Sequence, residues 1–194
     1  MPLRFTPLMK RRLTRRAVAM LERSLRHFPE LKARSITIGY TRRHLGSATL
    51  RFRAKAAEPQ LIIRLKVRKL TYQTIGHELT HLVQGLADGV GRRKPPSANG
   101  RIPSGEKACD IWTLARHDLF CDDGPTYLRV PRGIREQWPL YSAAVRKLCI
   151  AAIKKRQNHR LYIRWLEAEL RQLPRRSAPE KRSGEQLELA LGHL

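Results

Sequence analysis

The stretch TYQTIGHELTHLVQGLA, residues 71–87, decides how this chain is read. Leu79, Leu82, Val83 and Leu86 recur at helical spacing, Thr71 can cap the first turn through its hydroxyl, and Asp88-Gly89 supplies a stop. The pattern predicts a helix over about 71–87. Inside it stands His77-Glu78-Leu79-Thr80-His81, an H-E-x-x-H. Residues four apart share a helix face, so both imidazoles can reach one metal ion, and Glu78 falls beside the water that the metal activates. A zinc ion lowers the pKa of such a water to about 7, and a neighbouring carboxylate takes its proton as it attacks a carbonyl.

A catalytic zinc takes three protein ligands and keeps a fourth position open. Downstream of His81, Glu106 opens the run Glu106-Lys107-Ala108-Cys109-Asp110, with Ser104 placed to cap a helix running to about Phe120. Asp110 lies one turn beyond Glu106 on the same face. A ligating histidine passes its other N–H to a carboxylate, so Glu106 as third ligand and Asp110 behind one of the histidines make one set. Cys109 points about 100° away from Asp110 and is expected in the core. His117 shares the Glu106 stripe but lies about 16 Å along it, a distance that suits capping, packing or a substrate groove. Cys121-Asp122-Asp123-Gly124-Pro125 reads as a turn with solvated carboxylates.

At these residues the chain resembles a family. HELTH followed by EKACD is similar to the gluzincin branch of the zincin metallopeptidases, whose pattern is H-E-x-x-H and then E-x-x-x-D. The resemblance covers about residues 60–120. It implies one zinc per chain on two packed helices, beside a small sheet whose edge strand binds extended peptide. Carried over, His77, His81 and Glu106 are the metal ligands, Glu78 is the general base and Asp110 the carboxylate behind a histidine. LIIRLKV, residues 61–67, then matches the edge strand. Larger gluzincins usually add a Tyr or His that stabilises the oxyanion; the motif assigns none here, and Tyr127, after the turn, is a better candidate than His117. A weaker resemblance, in plan only, is to SprT-like proteases, which act on proteins attached to DNA. Here the third ligand reads as Glu106 rather than a His, and no zinc ribbon follows.

Upstream, apolar residues at helical spacing predict a helix over 7–27, followed by strand-like runs at 35–40, 47–52 and 61–67. In the last, Ile63, Leu65 and Val67 alternate with Arg64, Lys66 and Arg68. A small antiparallel or mixed sheet follows. Residues 89–103 read as a long loop carrying an RRK run at 92–94, and residues 138–173 as a basic, mostly helical segment. Trp112, Trp138 and Trp165 are expected as core or interface anchors. The expected architecture is α+β and zincin-like: a metallopeptidase domain over 1–137, a basic helical extension packed on it over 138–173, and a polar tail over 174–194.

The 194 residues hold 40 Lys+Arg against 16 Asp+Glu, a formal net charge of +24. Residues 1–70 contain 19 Lys+Arg and 3 acids, whereas residues 71–140 contain 9 and 8. Two basic flanks thus bracket a nearly neutral middle that holds the chemistry, and DNA or RNA joins protein or peptide substrate among the expected partners. No apolar stretch approaches the roughly 20 residues that span a bilayer, which excludes a helical membrane protein. The basic N-terminus lacks a signal peptide's apolar centre, and three cysteines without a C-x-x-C pair suggest reduced thiols, so a cytoplasmic protein is expected. From another class stands a nucleic-acid-binding protein whose metal is structural or vestigial.

Overall fold

The computed structural model describes residues 3–52, 59–88, 101–156 and 161–174, so the expectations for 89–100, including the RRK run, and for 175–194 lie outside the described residues. The chain is α+β, with seven α-helices and a four-stranded mixed sheet among the described residues. Strands β1 (Leu3–Phe5), β2 (Ile36–Tyr40), β3 (Gly46–Arg51) and β4 (Gln60–Leu65) stand in the order β1-β2-β4-β3. β1 and β4 flank β2 in parallel, and β3 pairs antiparallel with β4, Gly46 opposite Leu65.

This order overturns one expectation. LIIRLKV supplies the interior strand β4, with Leu61, Ile63 and Leu65 in the core. The edge beside the predicted helix is β3, whose residues are mostly half-buried. The parallel edge strand β1, only three residues long, carried no periodic signal.

The helix expected over 7–27 is two: α1 (Pro7–Lys10) and α2 (Arg15–Leu25). Thr6 and Thr14 each accept a backbone N–H three residues on, from Met9 and Ala17. A capping residue takes an extended ψ, and Thr14, at ψ 156°, starts a new helix there rather than continuing the first. Together α1 and α2 form the crossover that parallel pairing of β1 and β2 demands.

Helix α3 (Tyr72–Asp88) lies against this sheet core, burying Ile75, Leu79 and Leu82 with Met20 and Leu21 of α2. Thr71 caps it, accepting from Thr74 N at 3.1 Å. Helix α4 (Glu106–Arg116) begins after Gly105, not under a Ser104 cap. Gly105 holds φ at 109°, a conformation open to glycine and costly for other residues. The helix stops at Arg116, and a 3-10 turn (Asp118–Cys121) follows where a continuous helix was expected. The segment from 138 comprises two helices, α6 (Trp138–Lys155) and α7 (Tyr162–Gln172), after a short α5 (Arg132–Glu136). They form a second core with Ile111 and Leu114 of α4. Trp138 is buried there, its indole N–H donating to Cys121 O, while Trp112 and Trp165 are half-buried. No helix among the described residues is long and apolar enough to cross a membrane.

Candidate metal centre

The site forms where α3 meets α4, and small residues let the two helices approach. A Cβ on Gly76 would stand 2.7 Å from Thr113 Cγ2 and 2.6 Å from Phe120 Cδ1. One turn on, the Thr80 hydroxyl donates to Gly76 O and shares a 2.9 Å hydrogen bond with the Thr113 hydroxyl. This close crossing brings the first turn of α4 onto the histidine face of α3.

Three donor atoms converge there. His77 Nε2 and His81 Nε2 are 3.2 Å apart, and each is 3.0 Å from Glu106 Oε2. Behind His77, Asp110 Oδ1 lies 2.8 Å from Nδ1. Asp110 is fully buried; its other oxygen accepts from Tyr127 N at 2.6 Å and Leu128 N at 2.8 Å, and Gln73 Nε2 donates to Oδ1. Behind His81, Gln84 Oε1 lies 3.0 Å from Nδ1. Both Nδ1 atoms therefore face oxygens that only accept, which places the protons of the neutral rings on Nδ1. The Nε2 lone pairs are left aimed at each other and at a carboxylate oxygen. Three lone pairs converging on one point repel unless a cation sits among them.

Cys109 offers a second grouping. Its Sγ and one ring nitrogen each from His77 and His81 lie within 4.8 Å of one another, and such a group can hold a metal ion. Its geometry is less favourable than that of Glu106. Sγ meets His81 at Nδ1, 3.1 Å away, on the side of the ring opposite Nε2. Burial, then the charges of Glu106, Asp110 and Glu78, push the Cys109 thiol up, so the metal-binding thiolate is disfavoured. The sulfur is fully buried, as the sequence suggested, and donates to Gln84 Oε1 at 3.0 Å.

The charges of the site divide by burial. Glu78 is 6% exposed, and burial lifts its carboxyl to about 7 against the pull of His77. Burial also opposes ionisation of Glu106, but the adjoining His81 and His77 rings, which hydrogen-bond to it whenever an Nε2 carries a proton, outweigh that and hold its carboxyl below the usual value. Burial likewise disfavours the His77 cation, and the Asp110 hydrogen bond and charge overcome it. Glu78 packs over Gly46 at the start of β3, where a Cβ would stand 2.5 Å from its Oε1. Only glycine lets the strand and this carboxylate come so close.

Of the residues singled out in the sequence, His77, Glu78, His81, Glu106 and Asp110 gather here, with Tyr127 at the rim. The Tyr127 ring stacks on His77 at 5.4 Å between centroids, and burial, then the nearby carboxylates, keep its phenol protonated. His117 stands apart: it accepts from Leu119 N at the 3-10 turn, and its ring lies tilted against that of His27, 3.9 Å between centroids. Asp122 is not merely solvated. Its two oxygens accept from Tyr72 N at 2.7 Å and Gln73 N at 2.8 Å, closing the start of α3 from 50 residues away. Sequence reading missed Gln84, Gly46 and this role of Asp122. Only Gln84 carried a signal, standing three residues beyond His81 on the same helix face. Compared with known proteins, the chain matches no family model, no curated protein and no solved structure.

Proposed function

We propose that the chain is a zinc-dependent metallopeptidase of zincin-like plan, with one zinc held by His77 Nε2, His81 Nε2 and Glu106 Oε2. The observation that carries the reading is the triangle of these three atoms, 3.0–3.2 Å on a side, with both Nδ1 atoms backed by acceptors. Donors about 2.0–2.1 Å from a tetrahedral zinc stand about 3.3 Å from one another, so the set needs little movement to fit. When bound, zinc supplies Lewis acidity towards a carbonyl and a lower pKa for water.

The chain's own groups have distinct tasks. Glu78 takes the proton of the attacking water on its carboxylate and delivers it to the leaving amine; a carboxyl titrating near 7 is suited to both transfers at neutral pH. Asp110 orients His77. The Tyr127 hydroxyl, kept protonated, donates to the oxygen that gains charge as the carbonyl is attacked. Among the described residues β3 ends the sheet order, and it adjoins Glu78 at Gly46, so an extended peptide adding to that edge runs past the base.

The test is metal content together with hydrolysis of an unfolded protein by wild type and Glu78→Gln. One zinc per chain in both proteins, with turnover in the wild type alone, is expected. Equal turnover in the two removes Glu78 as the base.

A second reading, tethering to DNA or RNA, is favoured by one feature. Lys10, Arg11, Arg12, Arg15 and Arg16 are all exposed around α1 and α2, and Arg16 lines a cleft of about 470 Å³ with Arg68 and Lys69. Binding through phosphates falls steeply with added salt, and an affinity indifferent to salt counts against it. Tight metal binding without hydrolysis of any peptide would instead favour a nucleic-acid-binding protein with a structural metal.

A further inference from the structure

We infer that Gln84 is a positioning residue for His81 and dictates which nitrogen of that ring is offered to a metal; the inference rests on the metal site proposed above. The Pro103 carbonyl can only accept, so the Gln84 amide group that reaches it must be the Nε2 donor. That orientation leaves Gln84 Oε1 facing His81 Nδ1 at 3.0 Å. An amide oxygen only accepts, so neutral His81 carries its proton on Nδ1 and its lone pair on Nε2, the atom that faces Glu106 and His77. The Cys109 thiol is a second donor to Gln84 Oε1, at 3.0 Å, and reinforces the same orientation. Gln84 is buried, so the arrangement is held by protein groups.

Two consequences follow from the placement. Pro103 lies three residues before Glu106, so one side chain ties a histidine on α3 to the segment that delivers the third donor on α4. The two histidines are also oriented differently: His77 by a carboxylate, His81 by a neutral amide. A second carboxylate behind His81 would add a full negative charge to a site that already holds Glu78, Glu106 and Asp110.

The experiment measures zinc affinity of the full chain by competition with a chromophoric chelator, for wild type, Gln84→Met and Gln84→Glu, with melting of each metal-free protein recorded alongside. Met fills similar space and offers no comparable acceptor. Glu keeps an acceptor for His81 Nδ1 but cannot donate to Pro103 O. The expected result is zinc affinity about 10–100-fold weaker in Gln84→Met and recovery of most of that loss in Gln84→Glu. A side chain that merely clamps Pro103 would fail equally in both variants, so a Glu variant as weak as the Met variant overturns the inference. So does a Met variant that holds zinc as tightly as wild type. If Gln84→Met does not fold, Gln84→Glu decides alone, since near-wild-type affinity is expected of it. Wild type that binds zinc through His81, lost in His81→Ala, yet ignores both Gln84 changes leaves the metal site standing and removes the role of Gln84. Wild type that takes up no zinc removes both.

Discussion

Helix α3 is packed into the sheet core through Ile75, Leu79 and Leu82, whereas α4 sends Ile111 and Leu114 into the helical core with α6 and α7. The two sides of the site inherit different surroundings. On α3, Glu78 is buried under β3, and its carboxyl is raised to about 7. On α4, the Glu106 side chain is 48% exposed and its carboxyl is lowered, while Asp110 one turn on is fully buried. The proposed base and the proposed third ligand are both glutamates, and they differ because they lie on opposite sides of a seam between two cores. The seam itself is braced. Arg116 grips both Glu30 oxygens and His27 O, and its guanidinium lies over the Phe28 ring.

The largest expected effect breaks the contrast between the two glutamates. Glu78→Gln should lower turnover by about 10²–10⁴-fold while zinc content stays unchanged. The same change has an opposite effect on stability. The folded state binds the Glu78 proton more tightly than a carboxyl at 4.5 would, so stability falls as pH rises from 4.5 to about 7. In the metal-free protein at pH 8, Glu78→Gln should therefore stabilise by up to about 3 kcal/mol, and the gain should vanish below pH 4.5. Paired denaturant titrations at the two pH values measure it; a gain that persists in acid contradicts the assignment.

On the α4 side, Asp110→Ala should cost about 3–5 kcal/mol of metal-free stability, because donors on Gln73, His77, Tyr127 and Leu128 lose their acceptor. Glu106→Ala, half exposed, should change that stability by less than about 0.5 kcal/mol and still lose zinc. Comparable melting of the two variants would erase the distinction between buried orienter and exposed ligand.

The seam is tested by Gly76→Ala. The added Cβ meets Thr113 and Phe120 below 3 Å, and forcing the helices apart should cost about 1–3 kcal/mol. Zinc affinity should weaken in parallel, since Glu106 moves with α4; affinity unchanged at lowered stability would uncouple the crossing from the site. The smallest effect belongs to Asp122→Ala, which removes an acceptor for two N–H groups at the start of α3 and should cost about 1 kcal/mol in chemical denaturation.

Much of the site was legible because its signals are local. The interval between His77 and His81 is one helical turn, and so is that between Glu106 and Asp110; each pair is brought onto one face by helix geometry alone. The strands near 36–40, 46–51 and 60–65 were legible from their apolar runs. What failed depended on distant partners. LIIRLKV alternates like a half-exposed strand, yet β2 and β3 both pair with it and make it interior. The break before Thr14 was hidden because the apolar spacing continues through the residue whose hydroxyl caps the second helix. Asp122 gave no hint of its partners, which lie 49 and 50 residues away.

By itself the sequence determined that a helix around 71–87 presents two imidazoles and a carboxylate, that a second helix presents two more carboxylates, and that the positive charge gathers on the flanks. These are properties of composition and of spacing within a few residues, where backbone geometry leaves little choice. Only the tertiary structure decided that Asp110 stands behind His77 and Gln84 behind His81, that β3 rather than β4 forms the edge over Glu78, and that Glu106 meets both histidines. Such pairings are set by how closely two helices can pack, and that distance is governed by Gly76 and Thr80 meeting Thr113 across the seam rather than by any residue's own preference.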